Sequence, residues 1–167
     1  MTTVAIISQK GGAGKTTLAL HLAVAAQDAG RVSLIIDTDP QATASQWGSW
    51  REDKPPEVID SPPPRLAAKV EQAQEQGAQF VVIDTPPHAD SAARAAVETA
   101  DLVLIPCRPS AFDLAAIQTT VKLVQLLRKP AFVVFTAGSP NAPRMYEEAD
   151  ELVGSFGISA CPVQLPD

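Results

Sequence analysis

Gln9-Lys10-Gly11-Gly12-Ala13-Gly14-Lys15-Thr16-Thr17 lies between the apolar run Val4 to Ile7 and an amphipathic run from Leu18 to Ala29. An apolar run of strand length, a glycine-rich turn and a helical repeat in that order read as strand, loop and helix. Gly11, Gly12 and Gly14 let the backbone take conformations that a Cβ would forbid, so successive amides turn inward and form a nest for anionic oxygens. Lys15 adds a point charge for β and γ phosphates, and Thr16 offers a hydroxyl to Mg²⁺. The helix that follows aims the positive end of its dipole at the same oxygens. Together these groups suit a nucleoside triphosphate.

Working outward, Val32 to Ile36 is a second apolar run and ends in Asp37-Thr38-Asp39-Pro40-Gln41. Asp37 and Asp39 both lie at the C-terminal end of that run. The C-terminal strand edge is also where an open α/β sheet keeps its ligand crevice. Phe80 to Ile83 delivers Asp84 to that edge, and a carboxylate after an apolar strand is the Walker B arrangement that holds Mg²⁺ through water. Residues 10–17, 37–39 and 84–88 therefore meet at one place. The strict pattern G-x-x-x-x-G-K-[ST] fails here, because its first position falls on Gln9 and a second lysine, Lys10, stands beside it.

The form K-G-G-x-G-K-T-T resembles the deviant Walker A box of the ParA/MinD family of partition and positioning ATPases. It is closest to the short partition ATPases without an N-terminal helix-turn-helix domain. Asp37-Thr38-Asp39-Pro40-Gln41 is similar to the family's A′ box, and Asp84-Thr85-Pro86-Pro87 to its switch II segment. The resemblance implies that residues 10–17, Ala13 and Thr17 included, bind ATP. It implies that Thr16, Asp37 and Asp84 serve Mg²⁺, the carboxylates through water, and that Asp39 orients the attacking water. Lys10 would reach across an ATP-dependent homodimer to the partner's phosphates, like an arginine finger, so Lys10, Lys15 and Asp39 form the expected catalytic set.

The same resemblance implies a slow, dimer-dependent ATPase that segregates a plasmid, a chromosome or another large cargo, stimulated by a ParB-like or other adaptor. Non-specific DNA is a further expected partner, with Lys122, Arg128 and Lys129 as the basic cluster to carry it. A MinD-like membrane-cycling ATPase is an alternative that would need a C-terminal basic amphipathic helix. A P-loop small-molecule kinase or synthetase would leave phosphate on a substrate rather than in water. Arg108, in the loop after the run Leu102 to Ile105, reads equally as a residue of the dimer face or as a solvated surface arginine.

The 167 residues suffice for one well-buried domain, and the alternation of apolar strands with amphipathic helices predicts an α/β fold. The expected architecture is a three-layer P-loop NTPase fold, a mostly parallel sheet with helices on both faces. The whole of 1–167 is expected to be one ATPase domain lacking the family's C-terminal helices. A net charge of −6 argues against a surface coated in basic groups, though a local patch remains compatible with it. The first strand starts at once, with no basic leader and no apolar run of membrane-spanning length, so a cytoplasmic, nucleoid-associated protein without membrane partners is expected. Cys107 and Cys161 lack metal or redox spacing and read as reduced thiols.

Further helices are predicted over 16–29, 41–53, 65–76, 90–100, 115–127 and 144–156, and further strands at 58–59, 131–135 and 158–163. Trp47 and Trp50, three apart, are expected on one face of the second helix as core or docking residues. His21 is expected as a buried neutral or surface histidine, not a ligand.

Overall fold

The computed structural model describes residues 1–52 and 54–165. The strands are β1 (Thr2–Ile6), β2 (Ser33–Asp37), β3 (Glu57–Asp60), β4 (Phe80–Asp84), β5 (Leu102–Cys107), β6 (Ala131–Phe135) and β7 (Ser159–Ala160). They form one sheet in the order β3-β2-β4-β1-β5-β6-β7, every pair parallel. The helices are α1 (Lys15–Asp28), α2 (Thr43–Ser49), α3 (Leu66–Glu75), α4 (Asp90–Thr99), α5 (Ala111–Ala116), α6 (Gln118–Leu126) and α7 (Pro143–Ser155).

Alternation along each central strand feeds two cores. Val4, Ile6, Ile35 and Val82 face α1 and α2, where they meet Leu18, Ala19, Ala23 and Ala44. Ala5, Ile36, Val81 and Ile83 face the other side and pack with residues of α3, α4, α6 and α7 such as Leu66, Ala96, Val121 and Val153. Each fully buried branched side chain contributes about 1.5–3 kcal/mol, so a sheet apolar on both sides is stable only when both are covered. Helices on both faces follow, and the expected three-layer α/β architecture is the one observed.

Several predicted elements differ. The second helix begins at Thr43, because Ala42 sits in the left-handed region at φ 53 and Gln41 belongs to the preceding turn; the predicted end at Asp53 lies outside the described residues. One helix over 115–127 becomes two, since the Ser110 side chain accepts the Asp113 amide at 3.3 Å and caps a helix that starts earlier, at Ala111. α5 and α6 then meet at buried Ile117. The last strand shrinks to Ser159–Ala160, as Pro162 cannot donate to a ladder. The two tryptophans part company: Trp47 packs on the α1 side core under Arg51, whose guanidinium lies 4.7 Å from the ring, whereas Trp50 is 76% exposed. His21 is exposed.

Candidate functional site

Register brings the acidic residues into one row. Ile6 pairs with Asp84, Asp84 with Asp37 and Asp37 with Asp60 across β1, β4, β2 and β3. In-register neighbours share a face, so Asp84 and Asp37 lie on the α1 side, where the glycine loop opens α1. Two buried threonines tie these strand ends together. Thr38 donates through both its amide and its hydroxyl to the carbonyl of Asp84, at 3.0 and 2.8 Å, and the Thr85 hydroxyl donates to the carbonyl of Ile6 at 2.8 Å.

The loop itself takes its shape from Gly12 and Gly14, at φ 71 and 89, and a Cβ on Gly14 would also rest on Thr136. Neighbouring loops hold its rim. Arg108 donates to the carbonyl of Gly12 at 3.1 Å, the Thr136 hydroxyl donates to the carbonyl of Ala13 at 2.9 Å, and Gln9 donates to Asp90 at 2.8 Å. Arg108 is exposed and braces the loop through this bond. Gly11 and Thr17 stand on the exposed side.

The two lysines behave differently. Lys15 is buried and turns its ammonium to the carbonyl of Lys10 at 3.2 Å. Burial lowers its pKa, an effect that Asp84 and Asp39 partly oppose. Lys10 has a side chain 43% exposed and pairs with Asp113 of α5 at 2.7 Å. Burial alone would raise the Asp113 carboxyl, but hydrogen bonds from Lys10 and Ser110 and the charges of Lys10 and Arg108 hold it below the ordinary value.

Asp84 is 1% exposed. One of its oxygens accepts the Thr16 hydroxyl at 2.7 Å, and the other, Oδ1, is buried without a partner among the described residues. Burial pushes its pKa up to about 7; the Thr16 bond and Lys15 work against the rise, while Asp37 and Asp39 add to it. An orphaned carboxylate oxygen beside a hydroxyl at a phosphate loop fits a hydrated Mg²⁺.

Both oxygens of Asp37 accept hydrogen bonds from the chain that follows it. Its Oδ1 accepts the Asp39 amide at 3.0 Å, and its Oδ2 accepts both the amide and the hydroxyl of Ser45, at 2.9 and 3.1 Å. These bonds fold the chain after β2 into a turn, so Asp39 lies in that turn and not on the strand. Asp39 is half-buried at the site, with Oδ1 taking the Gln41 amide at 2.8 Å. Beyond Asp84, Pro86 and Pro87 stiffen a turn that passes through His88 at φ 54 and enters α4 at Asp90.

Asp113, Ser45 and Thr136 were not legible as site residues. The Ser110 to Asp113 spacing is a helix-cap signal that could have placed α5 near the loop; nothing local marks Thr136 or Ser45. Cys107 is buried, its thiol pushed up to about 12 by burial first and Asp113 next, against Lys10, which disfavours the thiolate. Among the basic residues, Lys129 donates to the carbonyls of Glu98 and Ala100, at 3.0 and 2.8 Å, and so closes the C-terminal end of α4 instead of standing free with Lys122 and Arg128.

Residues 4–162 match the family described as the CobQ/CobB/MinD/ParA nucleotide binding domain. A protein of Gloeobacter kilaueensis named maintenance of carboxysome distribution protein A is 41% identical over 160 residues, covering 94% of this chain and 73% of its own. A protein of Rhizobium radiobacter named ParA is 33% identical over 150 residues, covering 84% of this chain and 66% of its own. In fold, the chain superposes on McdA of Cyanothece in its apo form (TM-score 0.77, 20% identity, 100% of this chain and 86% of that one). It does so equally on a single-residue variant of McdA in complex with ATP (TM-score 0.76, 20% identity, 92% and 80%). A nucleotide loop at the end of a central parallel strand, acidic strand ends in register with it and a match over almost the whole length lead to one assignment: the chain belongs to the CobQ/CobB/MinD/ParA family of nucleotide-binding domains.

Proposed function

We propose that this chain is a ParA-like positioning ATPase, a slow switch that binds ATP, pairs with a second copy, and resets on hydrolysis. The observation that carries the reading is Lys10: it begins the phosphate loop, its side chain is 43% exposed, and its ammonium is held by Asp113 of α5. Lys15, the loop amides and the start of α1 would bind the phosphates, and Asp39 would orient the attacking water. Mg²⁺, when bound, supplies charge neutralisation at the β and γ oxygens, and Thr16 and Asp84 would hold it. Lys10 of each copy would complete the other's site.

Lys10 can leave without stranding its partner: the Lys10 end of the pair is 43% exposed, and the buried Asp113 keeps the Ser110 hydroxyl and the charge of Arg108. Charge-assisted bonds to phosphate oxygens offset what is lost. The cis pair is therefore a holding position that a bound partner overrides. One relative's name, of carboxysome distribution, supports a large cargo; an adaptor protein that stimulates hydrolysis belongs to the same proposal. Non-specific DNA as the track rests on Lys122 and Arg128, with Lys129 committed to α4.

The test is ATP turnover against protein concentration for the wild type and for Lys10→Ala. Specific activity is expected to rise with concentration. Lys10→Ala should keep ATP binding and lose about 10³-fold or more in turnover, the order that a charge supplied in trans contributes. Concentration-independent turnover that survives loss of Lys10 overturns the reading.

A further inference from the structure

We infer that Asp37 is a positioning residue for Asp39 and not a holder of the cation. The inference rests on the reading of Asp39 as the residue that orients water. Asp37 ends β2, is 2% exposed, and joins three pieces of chain. Its Oδ1 takes the amide of Asp39, two residues on, and its Oδ2 takes the amide and hydroxyl of Ser45 in the first turn of α2. An ionised carboxylate has about four acceptor directions, and three of them are used. Turning Asp37 toward a hydrated ion would strand two backbone amides, each costing about 1–3 kcal/mol when left unpaired away from water. Asp84 is the contrasting case, with a whole oxygen free of partners.

The consequence is mechanical. The turn between β2 and α2 has few other ties to the strand: Thr38 is clamped to Asp84, the Asp39 carboxylate holds Gln41, and the Ala42 amide bonds the carbonyl of Asp39. The Asp37 carboxylate sets how far α2 stands from the strand end, and thereby where Asp39 points. A shift of about 1 Å at a water-orienting group costs about 10²-fold in rate while leaving ground-state binding alone.

The decisive variants are Asp37→Asn, Ser45→Ala and, as a metal control, Asp84→Asn. Two readouts are needed. Hydrogen exchange in the nucleotide-free protein should show the amides of Asp39 and Ser45 losing protection in Asp37→Asn, with the strand interior of β2 unchanged. Steady-state kinetics should show Asp37→Asn lowering kcat by about 10- to 100-fold, with KM for ATP and the Mg²⁺ requirement within about twofold of wild type. Ser45→Ala, which removes one of the three bonds, should move kcat the same way by a smaller factor and remains informative where Asp37→Asn folds poorly.

A rise in the Mg²⁺ requirement of Asp37→Asn matching that of Asp84→Asn, with kcat restored at high Mg²⁺, would make Asp37 a metal holder and overturn the inference. Unchanged amide exchange overturns it too, and so does unchanged kcat. A wild-type protein without ATP turnover would remove the ATPase reading, whereas the exchange arm would still judge the role of Asp37.

Discussion

Asp84 meets opposed demands at a single carboxyl, because burial favours its proton and phosphate chemistry needs its charge. With a folded pKa near 7 against an ordinary 3.8, the folded state holds a proton between those values that the unfolded chain has released. That contribution to stability is fully present below about pH 4 and is lost as the pH rises through about 7. Asp84→Asn should therefore flatten the fall in melting temperature of the nucleotide-free protein across this window, and leave the variant more stable than wild type by roughly 3–6 °C near neutrality. A melting curve whose pH dependence is unaffected by the substitution would contradict this. The same proton competes with the cation, so Mg²⁺-dependent nucleotide binding should tighten up to about tenfold per pH unit from about pH 6 to the folded pKa. Asp113 makes the second prediction at this scale. Asp113→Asn removes the cis partner of Lys10, and the ATP-loaded protein should pair at a concentration about two- to fivefold lower, the equivalent of one weak ion pair; sedimentation with ATP and without it measures the difference.

Among the elements, α2 carries the most risk for the site, since it is short and rests on the edge strand β3. Its Gly48 lies against Val58, and a Cβ there would stand 2.9 Å from both Cβ and Cγ2 of that residue. Alanine gains about 1 kcal/mol over glycine in a helix interior. Overpacking against a stiff β-branched side chain costs about 1–3 kcal/mol, so the clash outweighs the helix gain. Gly48→Ala is expected to lower unfolding free energy by roughly 1–2 kcal/mol and, because α2 holds Ser45, to lower ATP turnover by a larger factor than it raises KM. Chemical denaturation and kinetics on the same preparation check both parts. A neutral outcome would mean that α2 slides on β3 without disturbing the turn at Asp39. α5 illustrates the other way an element reaches the site: its cap at Ser110 starts it early enough to set Asp113 beside Lys10.

For the molecule as a whole, sheet order decides which loops can meet. β1 lies between β4 and β5, so the phosphate loop has Asp84 on one side and the loop carrying Arg108 on the other, with Thr136 reaching in from β6. The acidic net charge places any DNA contact on a local patch. Charge reversal at Lys122 and Arg128 is expected to weaken non-specific DNA retention and to reduce its salt dependence, while Lys129→Ala is expected to cost stability instead, through the uncapped carbonyls of α4. Retention that ignores the first pair would discard the patch. Local patterns determined most of the architecture: unbroken apolar runs dictated buried parallel strands, glycine spacing dictated the phosphate loop, and a carboxylate closing each run put Asp37 and Asp84 at one edge. Those features depend on near neighbours in sequence, where periodicity and turn chemistry act. What the tertiary structure alone decided was how the carboxylates divide their work. Asp37 and Asp84 are alike in sequence, each ending an apolar strand, yet one has both oxygens engaged by Ser45 and the Asp39 amide and the other keeps an open oxygen. The pairing of Lys10 with Asp113 and the hold of Thr136 on Ala13 likewise join residues more than a hundred positions apart. Such contacts are set by strand order and helix placement, which no local spacing encodes.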